Sequence, residues 1–303
     1  MRILETTKTK KIGKEIKLFG TGMLYLFPTF LILGVFLFYP ILKTIQFSFS
    51  SVLDGGVIEA FVGLEHYFSL FSSPSFLNSL KVTFLFVLYT VPLTIILSLF
   101  LAIIANEKMK GSKFFQMIFS SQLGISGAAS SAILLFFFHP TLGTINNVLG
   151  FFGVPRIGWL TSPEWALFSV SLATIWMGLS LNFILLLGGL QNISNDLYES
   201  ATVDGAGYWT RLFKITIPLL SPVLFFVTLI NFINALQSFG QIDILTEGGP
   251  TEATNLIVYS IYREAFVYGN YGFASAQAIA LFIITLIVTV IQFKVGERRV
   301  HYQ

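Results

Sequence analysis

Six long stretches of this chain carry no Asp, Glu, Lys or Arg: Leu18–Leu42, Val82–Asn106, Phe114–Pro155, Trp165–Asn195, Ile215–Ile242 and Ala265–Phe293. Each exceeds the roughly 20 residues that a helix needs to cross the hydrocarbon core. Inside lipid no water satisfies the backbone, so a lone apolar run must satisfy itself as a helix. The third stretch is too long for one crossing. It breaks at His139-Pro140, and the Gly- and Asn-rich run beyond reads as loop. Charged residues make up only 11% of the chain, against about a quarter in soluble domains. The pattern predicts an all-α membrane protein with six transmembrane helices and both termini on one side.

Charge says which side. Of the 18 Lys and Arg, only Lys43, Lys81, Arg156 and Arg263 fall outside or near the outer ends if both termini are cytoplasmic. The others lie in the N-terminal tail, in an inner loop with Lys108, Lys110 and Lys113, at Arg211 and Lys214, and in the C-terminal tail. The positive-inside rule supports that orientation. It also accounts for the net charge of +3 without nucleic acid. The predicted organisation is a basic cytoplasmic tail over 1–17, a membrane domain over 18–293 and a second cytoplasmic tail over 294–303. The tail's Lys11, Lys14 and Lys17 recur at spacing three, as in a short interfacial helix. No cleavable signal peptide is expected, because no cleavage site follows a short apolar core.

The spans are placed at about Leu18–Phe47, Ser79–Ala105, Phe114–Phe138, Glu164–Leu190, Ile217–Gly240 and Tyr271–Phe293. Outer segments cover Ser48–Asn78, with a turn at Asp54-Gly55-Gly56, His139–Pro163 and Gln241–Asn270. Inner segments cover Asn106–Lys113 and Asn192–Thr216. Pro92 is expected to kink the second span.

The longer inner insert is polar. Asp196 followed by Glu199 reads as a capping-box start with Asp196 as N-cap. The helix Leu197–Asp204 would end at Gly205 in a left-handed conformation. Trp209, Leu212 and Phe213 then share a face of a second helical piece, and Pro218 sits early in the fifth span, where its missing donor costs little. So short a helix needs a surface to pack against. On physics alone it is either an ordinary amphipathic loop or a docking element.

The wider segment, DLYESATVDGAGYWTRLFKITIPLLSP from Asp196 to Pro222, resembles the EAA loop of bacterial ABC-importer permeases. Glu199, Ala201, Asp204, Gly205, Ala206, Phe213, Ile215, Pro218 and Pro222 stand where that family's pattern has them. Ser200 replaces the usual alanine, and Ile217 replaces the leucine before the proline. Leu245-Thr246-Glu247-Gly248-Gly249-Pro250, with Ala253-Thr254, is similar to the GGP–AT loop of the carbohydrate branch related to the maltose and glycerol-3-phosphate systems. Arg298-Arg299-Val300-His301-Tyr302 resembles that branch's ending. The resemblance implies an ABC type I importer permease fold in the bacterial cytoplasmic membrane. It implies a second permease subunit as heterodimer partner, two cytosolic ATPases that bind the ATP and magnesium, and an extracytoplasmic solute-binding protein. Asp196, Glu199, Ser200, Ala201, Asp204, Gly205 and Ala206 would couple to the ATPase, Glu199 capping and orienting the helix and Gly205 permitting its turn. Gly248, Gly249 and Pro250 would meet the binding protein.

The fifth span turns polar after its entry, with Asn231, Asn234, Gln237, Ser238 and Gln241. On one continuous helix Asn231, Asn234, Ser238 and Gln241 would share a face, with Gln237 at its edge. Amides in a bilayer must find partners. They either face a translocation path and bond sugar hydroxyls, or join helices. Asn182 and Gln277 are further path candidates, and Trp176, Tyr89 and Phe239 could stack on sugar rings.

No span interior holds a carboxylate, Lys or Arg, which argues against proton or sodium coupling and for a neutral solute. No phosphate-binding loop is present, since Gly13-Lys14 is the sole Gly-Lys pair. The chain is therefore not expected to be an enzyme or to hold a cofactor. Gly124-Ile125-Ser126-Gly127 matches the GxSG of intramembrane serine proteases, yet of the three histidines none is placed to act as its base. The small residues there suggest close helix packing instead. No metal-ligand cluster and no cysteine occurs. The competing reading is an ATPase-independent channel or scaffold subunit.

Overall fold

The computed structural model describes residues 2–53, 55–107 and 111–296, with side chains from Leu18 onward. Asp54, Lys108, Lys110 and the Arg298–Tyr302 ending lie outside the described residues. So do the side chains of the basic tail.

The tail is no separate helix. It is the first part of α1 (Arg2–Leu33), which continues through a π-helical turn, Gly34–Phe38, into α2 (Tyr39–Ser48). The outer segment holds a small antiparallel hairpin, β1 (Ser50–Leu53) and β2 (Val57–Phe61), the only strands among the described residues. Gly55 and Gly56 turn it at φ +86° and +81°, values that side chains disfavour. Then come α3 (Glu65–Ser72) and α4 (Pro74–Asn106), the latter capped by the Ser73 hydroxyl, which accepts from the Phe76 N–H. After the inner loop follow α5 (Ser112–Ser121), a 3-10 turn at Gln122–Gly124, α6 (Gly127–Phe137) and α7 (Thr144–Phe151). The remainder is α8 (Pro163–Gln191), α9 (Asn195–Val203), α10 (Tyr208–Arg211), a π-turn at Leu212–Thr216, α11 (Ile217–Leu236), α12 (Gly240–Leu245), α13 (Ile257–Tyr262), a π-turn at Arg263–Val267 and α14 (Tyr271–Gly296).

Five helical segments are long and apolar enough to span: Leu18–Ser48, Pro74–Asn106, Pro163–Gln191, Tyr208–Leu236 and Tyr271–Gly296. The sixth crossing differs from expectation. Instead of one helix over Phe114–Phe138, it consists of α5 and α6, bent by 105° at Ile125-Ser126. The two pieces still join opposite ends of the molecule. Ser112 and Gln116 bond the Ala105 carbonyl at the inner end of α4. Phe138 packs on Trp159 in the outer loop.

The bend has local causes. The Ser126 hydroxyl caps α6 by accepting from the Ala129 N–H. Of the small residues from Gly124 to Ser131 expected to pack closely, Ser130 and Ser131 are buried, whereas Gly124 and Gly127 have nothing within 4 Å of an added Cβ. The serine of the GxSG sequence is thus a helix cap. His139 accepts from the Thr141 and Leu142 N–H groups in a turn of its own.

Two π-turns, Gly34–Phe38 and Leu212–Thr216, each end two residues before a proline, Pro40 and Pro218. A proline ring clashes with the carbonyl four residues back, and a widened turn relieves that crowding.

The core centres on α4 and α8. Buried along α4 are Ser79, Thr83, Thr90, Thr94, Ser98, Ala102 and Ala105, small residues at spacings of three and four or their multiples. Small side chains let helices approach closely where lipid gives no hydrophobic drive. Three of the hydroxyls bond back to their own helix, Ser79 to Ser75 at 2.9 Å and Thr83 to Ser79 and Thr90 to Phe86 at 2.7 Å. Above this seam Phe86, Phe138, Val170, Leu236 and Ile242 form the outer cluster, and Phe183, Leu186 and Leu220 anchor the inner one.

At the inner end α8 and α11 meet over Gly189, where an added Cβ would lie 2.6 Å from Leu220 and 2.9 Å from Val223. Neighbouring Gly188 has open space. Gly189→Val should destabilise the purified chain by about 1–3 kcal/mol through overpacking, while Gly188→Ala should be neutral or slightly stabilising. Thermal aggregation midpoints in detergent read this; equal midpoints for both variants would refute the close approach.

Candidate functional site

The inner insert folds as helix, turn and helix. Its cap is Ser194 and not Asp196: the Ser194 hydroxyl accepts from the Asp196 N–H at 3.3 Å. Asp196 then lies in the first turn, where its charge favours the helix dipole. Glu199 stands further along α9, exposed, so it does not cap. Gly205 adopts φ +78°. The Ala206 N–H donates to the Ala201 carbonyl and the Gly205 N–H to the Thr202 carbonyl, at 2.8 and 3.0 Å. That pair of bonds is the Schellman arrangement, which closes a helix end on a left-handed residue.

What α9 shows to the cytoplasm is acidic and apolar together. Asp196, Glu199, Ser200, Asp204 and Gly205 are exposed, with Ala201 and Ala206 half-buried. Val203 is 89% exposed. Beyond the turn Trp209 and Phe213 are exposed and stack at 6.1 Å, whereas Leu212 turns inward to line a cavity behind the insert. The expected common face of the three therefore holds for two of them. An apolar patch set among free carboxylates is the composition of an interaction surface.

Within the membrane, a cleft of about 410 Å³ opens between α4, α8 and α11. Asn182, Asn231, Asn234, Gln237 and Gln241 all line it, with Ser238, Thr90, Thr94 and Thr174. They do not share one helical face. α11 ends at Leu236, Gln237 stands at its C-cap, and the chain resumes helix at Gly240. This break turns Gln241 back toward α8, where its amide donates to the Thr174 hydroxyl at 3.2 Å. The Ser238 hydroxyl bonds the Asn234 carbonyl.

The amides fall into two kinds. Asn182 and Asn231 bond each other reciprocally, at 3.1 and 2.6 Å, and each also donates to its own helix, at Gly178 and Val227. Gly178 makes room, since a Cβ there would crowd Thr94 at 3.2 Å and Asn182 at 3.5 Å. These two join α8 to α11. Asn234 and Gln237 are exposed in the cleft with no side-chain partner among the described residues. Every lining side chain is uncharged.

Four expected path residues lie elsewhere. Gln277 is 1% exposed on α14, its Oε1 buried without a partner. Trp176 contributes its carbonyl, which accepts from Gln122, and its side chain does not line the cleft. Tyr89 is 39% exposed on α4 away from the cleft. Phe239 stacks on Tyr259 and meets Tyr262 edge-on in the outer cluster. Thr90, Thr94 and Thr174 were missed by sequence; their polarity beside the amide helices was the available signal.

The outer loop is fastened down. Gly248 has φ +76° and is buried, with a Cβ position 2.8 Å from the Tyr259 ring. Gly249-Pro250 is a cis bond. Fully buried Thr254 donates to the Gly249 carbonyl at 2.7 Å and meets the Thr246 hydroxyl at 2.7 Å. Glu252 accepts from Ser75 and pairs with Arg263 at 3.6 Å. Gly248, Gly249 and Pro250 thus shape the loop, and its exposed members are Glu247 and Thr251. Burial, then the Asp243 and Glu247 carboxylates, push the Tyr259 phenol above its usual range.

A multi-pass helical fold, a polar cytoplasmic insert and an uncharged membrane cleft are the features of a transport permease. The family model described as binding-protein-dependent transport system inner membrane component matches residues 68–302, and the chain belongs to that family. The sn-glycerol-3-phosphate transport system permease protein UgpA of Pectobacterium atrosepticum is 33% identical over 277 residues, 91% of this chain and 94% of that protein. The UgpA of Yersinia pestis is 34% identical over 281 residues, covering 92% and 95%. Among solved structures, a bacterial ABC transporter involved in the import of the acidic polysaccharide alginate matches with TM-score 0.81 and 27% identity, over 95% of this chain and 99% of that one. A second, the bacterial alginate ABC transporter in complex with its alginate pentasaccharide-bound periplasmic protein, matches with TM-score 0.79 and 28% identity, over 94% and 96%. The chain has the type I ABC-importer permease fold and is a multi-pass protein of the inner membrane.

Removing one amide of the pair orphans part of the other. Asn231→Leu should cost about 1–3 kcal/mol, and Asn182→Leu with Asn231→Leu should cost less than the sum of the singles. Thermal unfolding of the purified chain measures both; additive losses would exclude the reciprocal bond.

Proposed function

We propose that this chain is one of two permease subunits of an ABC importer for a neutral sugar or oligosaccharide. The observation that carries the reading is the uncharged cleft in which Asn234 and Gln237 present free amides. Amides match hydroxyl-rich solutes, and a cleft without cations offers nothing to a phosphate or carboxylate. The interiors of the membrane segments hold no Asp, Glu, Lys or Arg to couple an ion gradient, so the work comes from partner ATPases that bind ATP and magnesium. They dock on α9 and the Trp209–Phe213 patch. An extracytoplasmic binding protein delivers the solute to the outer loops, including Glu247 and Thr251. A second permease subunit completes the path and makes the pair a heterodimer. Alternating access then exposes the cleft to one side at a time. The named solutes of the relatives above, glycerol-3-phosphate and alginate, are anionic, which favours as second reading an acidic solute whose charge the partner permease neutralises.

Mild-detergent purification of the tagged chain from its native membranes, with mass identification of companions, tests the assembly. A phosphate-loop ATPase and a second permease should accompany it; the chain alone across several detergents would favour a channel or scaffold. In the assembled importer, Gly205→Trp should stop uptake without preventing insertion. An added Cβ at Gly205 meets nothing within 4 Å, so the cost inside this chain is the left-handed strain of about 1–2 kcal/mol, and the larger loss falls on docking. Normal uptake by that variant would remove α9 from the coupling route.

A further inference from the structure

α9 has no buried residue. Its hold on the membrane domain therefore comes down to a few side chains. Tyr198 is half-buried against the inner cluster of Leu186, Leu190 and Leu220, and its hydroxyl meets the Thr216 hydroxyl at 3.0 Å. Thr216 is the last residue of the π-turn at the root of α11 and is 7% exposed. A second tie runs the other way: the Arg211 guanidinium donates to the Thr202 hydroxyl at 3.1 Å. Both ties join α9 to the root of α11. Toward α4 there is no solid backing. A cavity of about 330 Å³ separates α9 and α10 from Ile103, Asn106 and Glu107. α11 itself runs from this root to Leu236 as one helix and carries Asn231 and Asn234 at the cleft.

We propose that the Tyr198–Thr216 contact, seconded by Arg211–Thr202, is the joint through which displacement of α9 reaches the solute cleft. The inference rests on the reading that an ATPase docks on α9. The empty space toward α4 lets α9 move, and the joint directs that movement into α11, where a π-turn can adjust its pitch. Tyr198 and Thr216 are positioning residues, since they touch neither solute nor nucleotide. Tyr198→Phe and Thr216→Val remove the hydroxyl contact and keep the packing volume. Thr216→Ser keeps the hydroxyl.

The test is solute imported per ATP hydrolysed by the complete importer in proteoliposomes, with loaded binding protein outside. Tyr198→Phe and Thr216→Val should each lower that ratio about fivefold, the worth of one hydrogen bond, with ATP hydrolysis retained. Thr216→Ser should keep the wild-type ratio. Exposed Thr202→Val should lower it in the same direction and supplies the test if the buried variants fail to insert. Equal falls in transport and hydrolysis, or an unchanged ratio in complexes that contain the ATPase, would overturn the joint. Failure of the wild-type chain to assemble with any ATPase would overturn the docking reading itself, before any variant is compared.

Discussion

The hydrocarbon core offers no partner to a bare N–H or C=O, so the chain crosses it as helix except where side chains take over the freed groups. At the α5–α6 bend Ser180 donates to the Ser120 carbonyl, and Gln122 ties the bend to α8 by donating to the Trp176 carbonyl. Where α11 stops, Ser238 takes the Asn234 carbonyl. Both interruptions border one cleft: Leu123 lines it from the bend, and Gln237 lines it from the end of α11. Irregular backbone at membrane depth is tolerated where it faces a cavity, and here it builds one.

The same economy divides the amides. A carboxamide has two donors and an acceptor to satisfy. Asn182 and Asn231 satisfy theirs within the chain, so they hold α8 against α11. Asn234 and Gln237 have no such partner among the described residues and open into the cleft. Neighbouring residues of one type thus differ in whether a partner stands within about 3 Å, and the proposed function gives recognition to the unpaired ones. On the cytoplasmic side the division recurs. Tyr198 points into the fold, while Asp196, Glu199 and Val203 point out of it.

Much of this was legible in sequence. Uncharged runs gave the crossings, because charge in lipid is costly, and the asymmetry of Lys and Arg gave the orientation. The left-handed glycine at 205 was readable from its place after a short helix. The polar residues after Ile230 were readable as a site, although their geometry was not. A three/four pattern assumes an unbroken helix, and nothing local announced that α11 would end at Leu236. Aromatic candidates fared worse, since Phe239 was claimed by packing on Tyr259 and Tyr262. Ser194 was overlooked as the cap in favour of Asp196, because either side chain can accept an N–H and only the backbone decides which residue enters the helix first. The glycines at 248 and 249 resemble a docking surface by family pattern; the ring of Tyr259 covers Gly248, while Gly249 and Pro250 are half-buried.

The central claim is that the end of α11 faces a watery solute path. The chain contains no cysteine, so each introduced thiol is unique in it and is read by the label on this subunit's band. Single Asn234→Cys and Gln237→Cys variants of the assembled importer should react with a charged, membrane-impermeant thiol reagent, and transported solute should protect them. Phe100→Cys, at a residue 59% exposed on the apolar flank of α4, should stay unreactive. Unreactive thiols at 234 and 237 in every nucleotide state, beside a labelled control in an outer loop, would contradict the account.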